Sequence, residues 1–268
     1  MNESNSLHWS FDYNHGSQKP DFAQELIQLL HEYIDNSSNA DLNKDVGKHY
    51  CRQTYQILPN FWRGYVRQNN PEGTSYIGKV VVERQKHNGD TWKYNVHYQN
   101  STNGEDIRLH FCCRDDDYRS LHESWNVEVN NSCVDQYSRL RCEGYFYKDT
   151  EIRLRYNDIE ITVATLDDTL PITCRWALFD VIPKISEEIK KSAESLNIQL
   201  LDDLEQYRPK NTVGYLETIE SPIPLDGYYL HGIGALPSYW WVDANNNVAI
   251  VSSVFETLVL RETVGDCP

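Results

Sequence analysis

Along the chain the apolar positions change period once near the start and again near residue 183. The segment opened by Pro20 and Asp21 carries Phe22, Leu26, Ile27, Leu29, Leu30, Tyr33 and Ile34. That is the spacing of one helical face, and proline suits a first helical turn, so a helix is predicted over 20–35. The stretch from Asn36 to Lys48, rich in Asn, Ser and Asp, reads as a loop. From Tyr76 the period shortens to two. Tyr76 to Lys86 and Thr91 to Gln99 flank Asn88-Gly89, a strong short-range hairpin signal. In the second of these runs Trp92, Tyr94, Val96 and Tyr98 alternate with Lys93, Asn95, His97 and Gln99, which gives one aromatic face and one polar face. Ile107, Leu109, Phe111 and Cys113 repeat the pattern.

Further strand-like runs follow at Ser124 to Val129, Tyr137 to Tyr147, Glu151 to Tyr156, Ile159 to Ala164 and Thr173 to Phe179. Short polar turns between them favour an antiparallel meander. Pro183 and Ser186 then introduce Ile185, Ile189, Ala193 and Leu196, with Glu187, Glu188, Lys190 and Lys191 on the other side. This pattern predicts a helical insert over 183–207, including a short second helix around Leu200 to Tyr207 stopped by Pro209. Strands resume at Thr212 to Ile219, Gly227 to Gly232, Tyr239 to Val242, Val248 to Ser252 and Phe255 to Arg261. The expected fold is mainly β (α+β): about ten or eleven antiparallel strands in one curved sheet or barrel, forming a single domain over 1–268. The alternating, aromatic-ended strands resemble calycin-like barrels in architecture, a likeness that carries no function.

Composition narrows the partners. Forty acidic against 25 basic residues give a formal charge of −15, which repels a phosphate backbone and an anionic membrane surface, and no basic block interrupts it. The opening residues lack the basic and apolar pattern of an export signal, and no apolar run is long enough to span a bilayer, so a cytoplasmic location is expected. An odd count of 7 cysteines at irregular spacing reads as free thiols in a reducing compartment.

Candidate chemistry is sparse. Phosphate-cradling glycine motifs, metal-binding His and Cys motifs and a serine nucleophile elbow are all absent, so neither a cofactor nor a metal is expected. Cofactor-free acid-base chemistry asks less of a sequence: one titratable group in a partly dry pocket. His231, beside Gly232 and the phenols Tyr228 and Tyr229, is the leading base, with Tyr228, His97 or His110 as donor or orienting group. The acidic pairs Asp167-Asp168 and Asp202-Asp203 read as solvated turns or helix starts. The aromatic content, 7 Trp, 18 Tyr and 7 Phe, includes clusters at Phe61-Trp62, Tyr145-Phe146-Tyr147, Tyr228-Tyr229 and Tyr239-Trp240-Trp241. Such rings suit a pocket for a hydrophobic or aromatic molecule, with Trp92, Tyr229, Tyr239, Trp240 and Trp241 as its wall, although strands also bury aromatics simply as core. The functions this leaves are a lyase, isomerase or cyclase acting on such a molecule, a carrier or chaperone of a lipophilic ligand or chromophore, or a protein-interaction module.

Overall fold

The computed structural model describes residues 28, 30–33, 49–60, 76–132, 139–220 and 223–267. Within them the chain forms one sheet of fifteen strands in the order β8-β7-β6-β5-β4-β3-β2-β1-β15-β14-β13-β12-β11-β10-β9. The first half is the meander that the period-two pattern predicts: β2 (Gly78–His87), β3 (Thr91–Asn100), β4 (Glu105–Arg114), β5 (Leu121–Asn131), β6 (Leu140–Tyr147), β7 (Glu151–Tyr156) and β8 (Ile159–Thr165). The last strands, β11 (Gln206–Ile219), β12 (Leu225–Gly232), β13 (Ala235–Asp243), β14 (Val248–Ser252) and β15 (Glu256–Gly265), form a second meander. Strand β1 (Tyr50–Pro59) joins the two, paired antiparallel to β2 on one side and to β15 on the other. The sheet curls so far that β9 (Ile172–Cys174) approaches β5 and β8 approaches β11, giving a barrel-like body.

The count exceeds the expected ten or eleven, and two of the strands, β1 and β10, lacked a clean signal. In β1 the inward positions include Gln53, 2 % exposed, so the alternation is blurred. Its amide is nonetheless satisfied: Nε2 donates to Asn247 Oδ1 at 3.0 Å, and Tyr55 donates its hydroxyl proton to Gln53 Oε1 at 3.1 Å. The helix expected around Leu200 to Tyr207 is corrected to strand. Leu196–Asp202 is β10, which turns into β11 and pairs with it antiparallel. Its run Ile198, Gln199, Leu200 and Leu201 is buried throughout, and a short, largely apolar run of this length does not distinguish strand from helix. The expected strand over Thr173 to Phe179 contains only β9; a 3-10 turn follows over Arg175–Ala177 and leads into helix α1 (Leu178–Ser192).

Helix α1 lies inside the curl. Its first turns are buried on all sides, from Leu178 through Pro183, while Lys184, Glu187, Lys190 and Lys191 stay at the surface. Pro183 sits within the helix rather than at its start. Phe179 packs on Tyr55 and Trp240, with ring centroids 4.8 and 5.1 Å away. Lys190 pairs with Asp226 at 2.7 Å and Lys184 with Asp117 at 3.1 Å, so the polar side of the helix closes one mouth of the barrel.

Of the helix expected over 20–35, Gln28 and Leu30 to Tyr33 are described and are helical. Tyr33 donates to Asp243 Oδ2 at 2.6 Å, and Glu32 pairs with Arg261 at 2.5 Å. The expected loop from Asn36 to Lys48 and the cluster Phe61-Trp62 lie outside the described residues. No helix among the described residues is long and apolar enough to cross a membrane.

The expectation that the cysteines are free fails at one pair. Cys51, at the start of β1, forms a disulfide with Cys267, just beyond β15. Strand pairing brings Cys51 opposite Gly265, a proximity that a sequence separation of 216 conceals. Cys112, Cys113, Cys142 and Cys174 are free.

Candidate functional site

A cavity of about 860 Å³ opens at the mouth opposite α1's lysines. It is walled by the last residues of β1 and by the turns β3–β4, β10–β11, β12–β13 and β14–β15. Ile77, Leu200 and Leu230 form its buried apolar wall, and Leu236 and Phe255, 56 % and 59 % exposed, stand at its rim. Its volume falls within the range of small-molecule sites, roughly 300–1,000 Å³.

The charged lining is organised around Glu256, the first residue of β15. Glu256, Leu258 and Leu260 share one strand face, so the carboxylate points to the side on which the leucines are buried, while Thr257 and Val259 are buried on the other. Asn100 Nδ2 donates to the Tyr98 hydroxyl at 3.2 Å, and that hydroxyl donates to Glu256 Oε2 at 2.9 Å. Arg175, carried in by the 3-10 turn, brings Nη2 to 3.8 Å from Glu256 Oε1. Burial raises the Glu256 carboxyl above its usual range; Arg175 and Tyr98 pull it back, while Asp203 and Glu105 push it further up. Burial likewise raises Asp202, with Asp203 adding to the effect. For Arg175 burial works against the charge, but Asp203, Glu256 and Asp202 outweigh it and hold the guanidinium ionised. Arg208, also in the lining, donates to Gln206.

The β10–β11 turn that delivers these acids is strained. Asp203 and Leu204 adopt φ of 48° and 62°, values that L residues seldom take, and Leu204 is fully buried. Trp125 Nε1 holds the turn by donating to the Leu204 carbonyl at 2.8 Å, and Tyr156 donates to Glu205 at 3.3 Å. Asp202-Asp203, expected as a solvated turn or helix start, is therefore a hairpin turn clamped against the opposite half of the barrel.

None of the residues expected at the site lines this cavity. The pleat divides the His231 group: Tyr228 points inward, where it donates to the Ser186 carbonyl of α1 at 3.2 Å, while His231 is exposed on the outer face beside Tyr229 and Tyr239, at ring distances of 4.8 and 5.9 Å. Burial pushes the Tyr228 hydroxyl up to about 12. His97 and His110 also lie on the outer face, His97 Nε2 at 3.0 Å from Asp106 and His110 Nδ1 at 2.8 Å from Asn95, so the structure does not join either of them to His231. Trp240 is core, with Nε1 donating to Ser238 Oγ at 2.9 Å, and Trp241 lies on the opposite sheet face over Gly227. Trp92 is buried at the far end of β3, with Arg119 5.4 Å from its ring centre.

Among the described residues no group of three or more His, Cys, Asp or Glu is arranged to hold a metal ion. Chemically, the cavity offers a buried carboxyl beside a phenol and a guanidinium, against an apolar wall.

No protein-family model matches this chain, and no curated protein does. Among solved structures it is similar to a β-barrel-like protein of the domain of unknown function DUF1849 from Brucella abortus, with a TM-score of 0.52 and 10% identity over 82% of this chain and 98% of that one. A DUF1089 family protein from Pseudomonas aeruginosa aligns with a TM-score of 0.34 and 11% identity, covering 63% of this chain and 86% of that one. The first likeness shows the fold: the chain is a mainly β protein with a β-barrel-like body.

Proposed function

We propose that this barrel binds a small amphipathic molecule in the cavity at its open mouth. The observation that carries the reading is the cavity itself: about 860 Å³, apolar on the side of Ile77, Leu200 and Leu230 and polar around Glu256, Tyr98 and Arg175. A core-only role for these residues would leave no such space, because protein interiors pack to crystal-like density.

A neutral apolar dye such as Nile red tests it. The dye gains fluorescence on binding one site per chain, and Leu236→Trp, which fills the rim at an exposed position, weakens binding at least tenfold. Unchanged dye affinity in that variant overturns the reading.

A specific observation favours a second reading, cofactor-free acid-base catalysis. Glu256 is a carboxyl whose proton affinity burial has raised, hydrogen-bonded to Tyr98, as a general acid or base near neutral pH requires. It takes the role that the sequence pattern suggested for His231. Incubation with a small-molecule extract of the source organism separates the two readings. Catalytic conversion that stops in Glu256→Gln makes the protein an enzyme, whereas stoichiometric retention without conversion makes it a carrier. The Cys51–Cys267 disulfide supports a compartment in which thiols oxidise over the cytoplasm.

A further inference from the structure

The cavity's charges do not balance. Among the described residues, Asp202, Asp203 and Glu256 line it against Arg175 and Arg208. Arg175 lies in the field of all three carboxylates, and Arg208 acts on Asp202. Among the described residues two guanidiniums therefore face three carboxylates, and Glu105 adds negative potential at Glu256 from β4. Glu256 also has an acceptor to spare. Its Oε2 receives the Tyr98 proton, but Oε1 stands 3.8 Å from Arg175 Nη2, beyond hydrogen-bond reach. The same cavity is lined by the aliphatic Leu200 and Leu230 and has Leu236 and Phe255 at its exposed rim.

Resting on the binding reading above, we propose that the cavity takes an alkyl-ammonium amphiphile, its ammonium on Glu256 Oε1 within the field of Asp202 and Asp203, its aliphatic body along Leu200 and Leu230. An ammonium supplies the missing donor and the missing charge together. A fatty acid fits the same wall but brings a fourth carboxylate to a lining that already sets three against two guanidiniums. The net charge of the whole chain, −15, draws cations toward the mouth and repels anions.

Calorimetric titration of the full chain with dodecylamine, dodecanol and sodium dodecanoate, each below its aggregation concentration, tests the head group at constant tail. Dodecylamine is expected to bind one per chain at least tenfold more tightly than dodecanol, and dodecanoate more weakly than dodecanol. Glu256→Gln brings the amine down to the alcohol and leaves the alcohol unchanged. Asp203→Asn, whose new residue accepts the turn's backbone, gives a smaller drop and stands in if Glu256→Gln fails to fold. Equal affinity of amine and alcohol, tighter dodecanoate, or amine binding that exceeds one per chain and persists in both variants overturns the inference. If dodecanol binds while the amine gains nothing, the binding reading survives and the charge argument falls; if none of the three binds, both fall.

Discussion

Arg84 and Asp180 form a two-point ion pair in the middle of the barrel, Nε to Oδ2 at 3.2 Å and Nη2 to Oδ1 at 2.9 Å, with side chains 0% and 3% exposed. Tyr94 adds its hydroxyl to Oδ2 at 2.5 Å. The pair ties α1 to β2 and β3, and it explains how a helix with a polar residue in its first turn can sit inside a curled sheet. Removing one partner leaves the other charge buried and alone. Asp180→Ala is expected to cost about 3–5 kcal/mol in chemical denaturation, whereas the double change Arg84→Met with Asp180→Leu costs much less, because an apolar pair of similar volume removes both desolvation penalties.

The Cys51–Cys267 disulfide ties β1 to the end of β15. Its removal by Cys51→Ser or by reductant is expected to lower stability by about 2–5 kcal/mol, read as a shift of the denaturant midpoint between oxidised and reduced protein. The register of the β1–β15 pair is set by the ladder itself, so the far-ultraviolet spectrum stays unchanged.

Gly144 provides the space that Trp125 occupies. A methyl group there falls 2.0 Å from the Trp125 ring. Gly144→Ala is expected to destabilise by about 1–3 kcal/mol, as overpacking does, and to shift the tryptophan emission. Because Trp125 also holds the Leu204 carbonyl, the same variant loosens the Asp203–Leu204 turn and weakens binding of the dye in the cavity.

Acid sensitivity has a defined contributor at Asp115. Burial opposes its ionisation, but hydrogen bonds from Lys86 and Arg119 outweigh that and hold the carboxyl below its ordinary value of 3.8. A carboxyl lowered in the folded state contributes stability above its unfolded value, and the contribution is lost as the pH falls below that value toward the folded one. Asp115→Asn is therefore expected to be less stable than the parent at pH 6, with the gap closing as the pH is taken below 4, in denaturant titrations at each pH.

The free thiols are predicted to be poor nucleophiles. Burial, with Glu205 beside it, pushes the Cys142 thiol up to about 11, although the neighbouring Tyr156 hydroxyl acts in the opposite direction. Burial also raises Cys112 and Cys113. With Cys133, which lies outside the described residues, replaced by Cys133→Ser, iodoacetamide at pH 7.5 is expected to modify only Cys112 slowly in the native protein and Cys112, Cys113, Cys142 and Cys174 after denaturation; fast native labelling of Cys142 contradicts this placement.

The sequence by itself determined the class of fold, because a strand's period of two is a local property. Trp92, Tyr94, Val96 and Tyr98 declared an inward face and are buried, and Asn88-Gly89 declared the β2–β3 turn. Where the local signal was ambiguous, the reading failed: the short, largely apolar run of β10 is compatible with either strand or helix, and Gln53 interrupts the pattern of β1. The site was partly legible in retrospect, since Glu256 shares its parity with Leu258 and Leu260, a carboxylate on an apolar face. What only the tertiary structure decided was which turns meet. Asp202 and Asp203, Arg175, Tyr98 and Glu256 come from distant parts of the chain, and their convergence depends on how far the fifteen strands curl and on a helix filling the other mouth. The same long-range packing placed Cys51 beside Cys267, whereas the local pleat of β12 parted His231 from Tyr228. Sheet curvature and closure are sums over many strand pairs, so no single window of the sequence carries them.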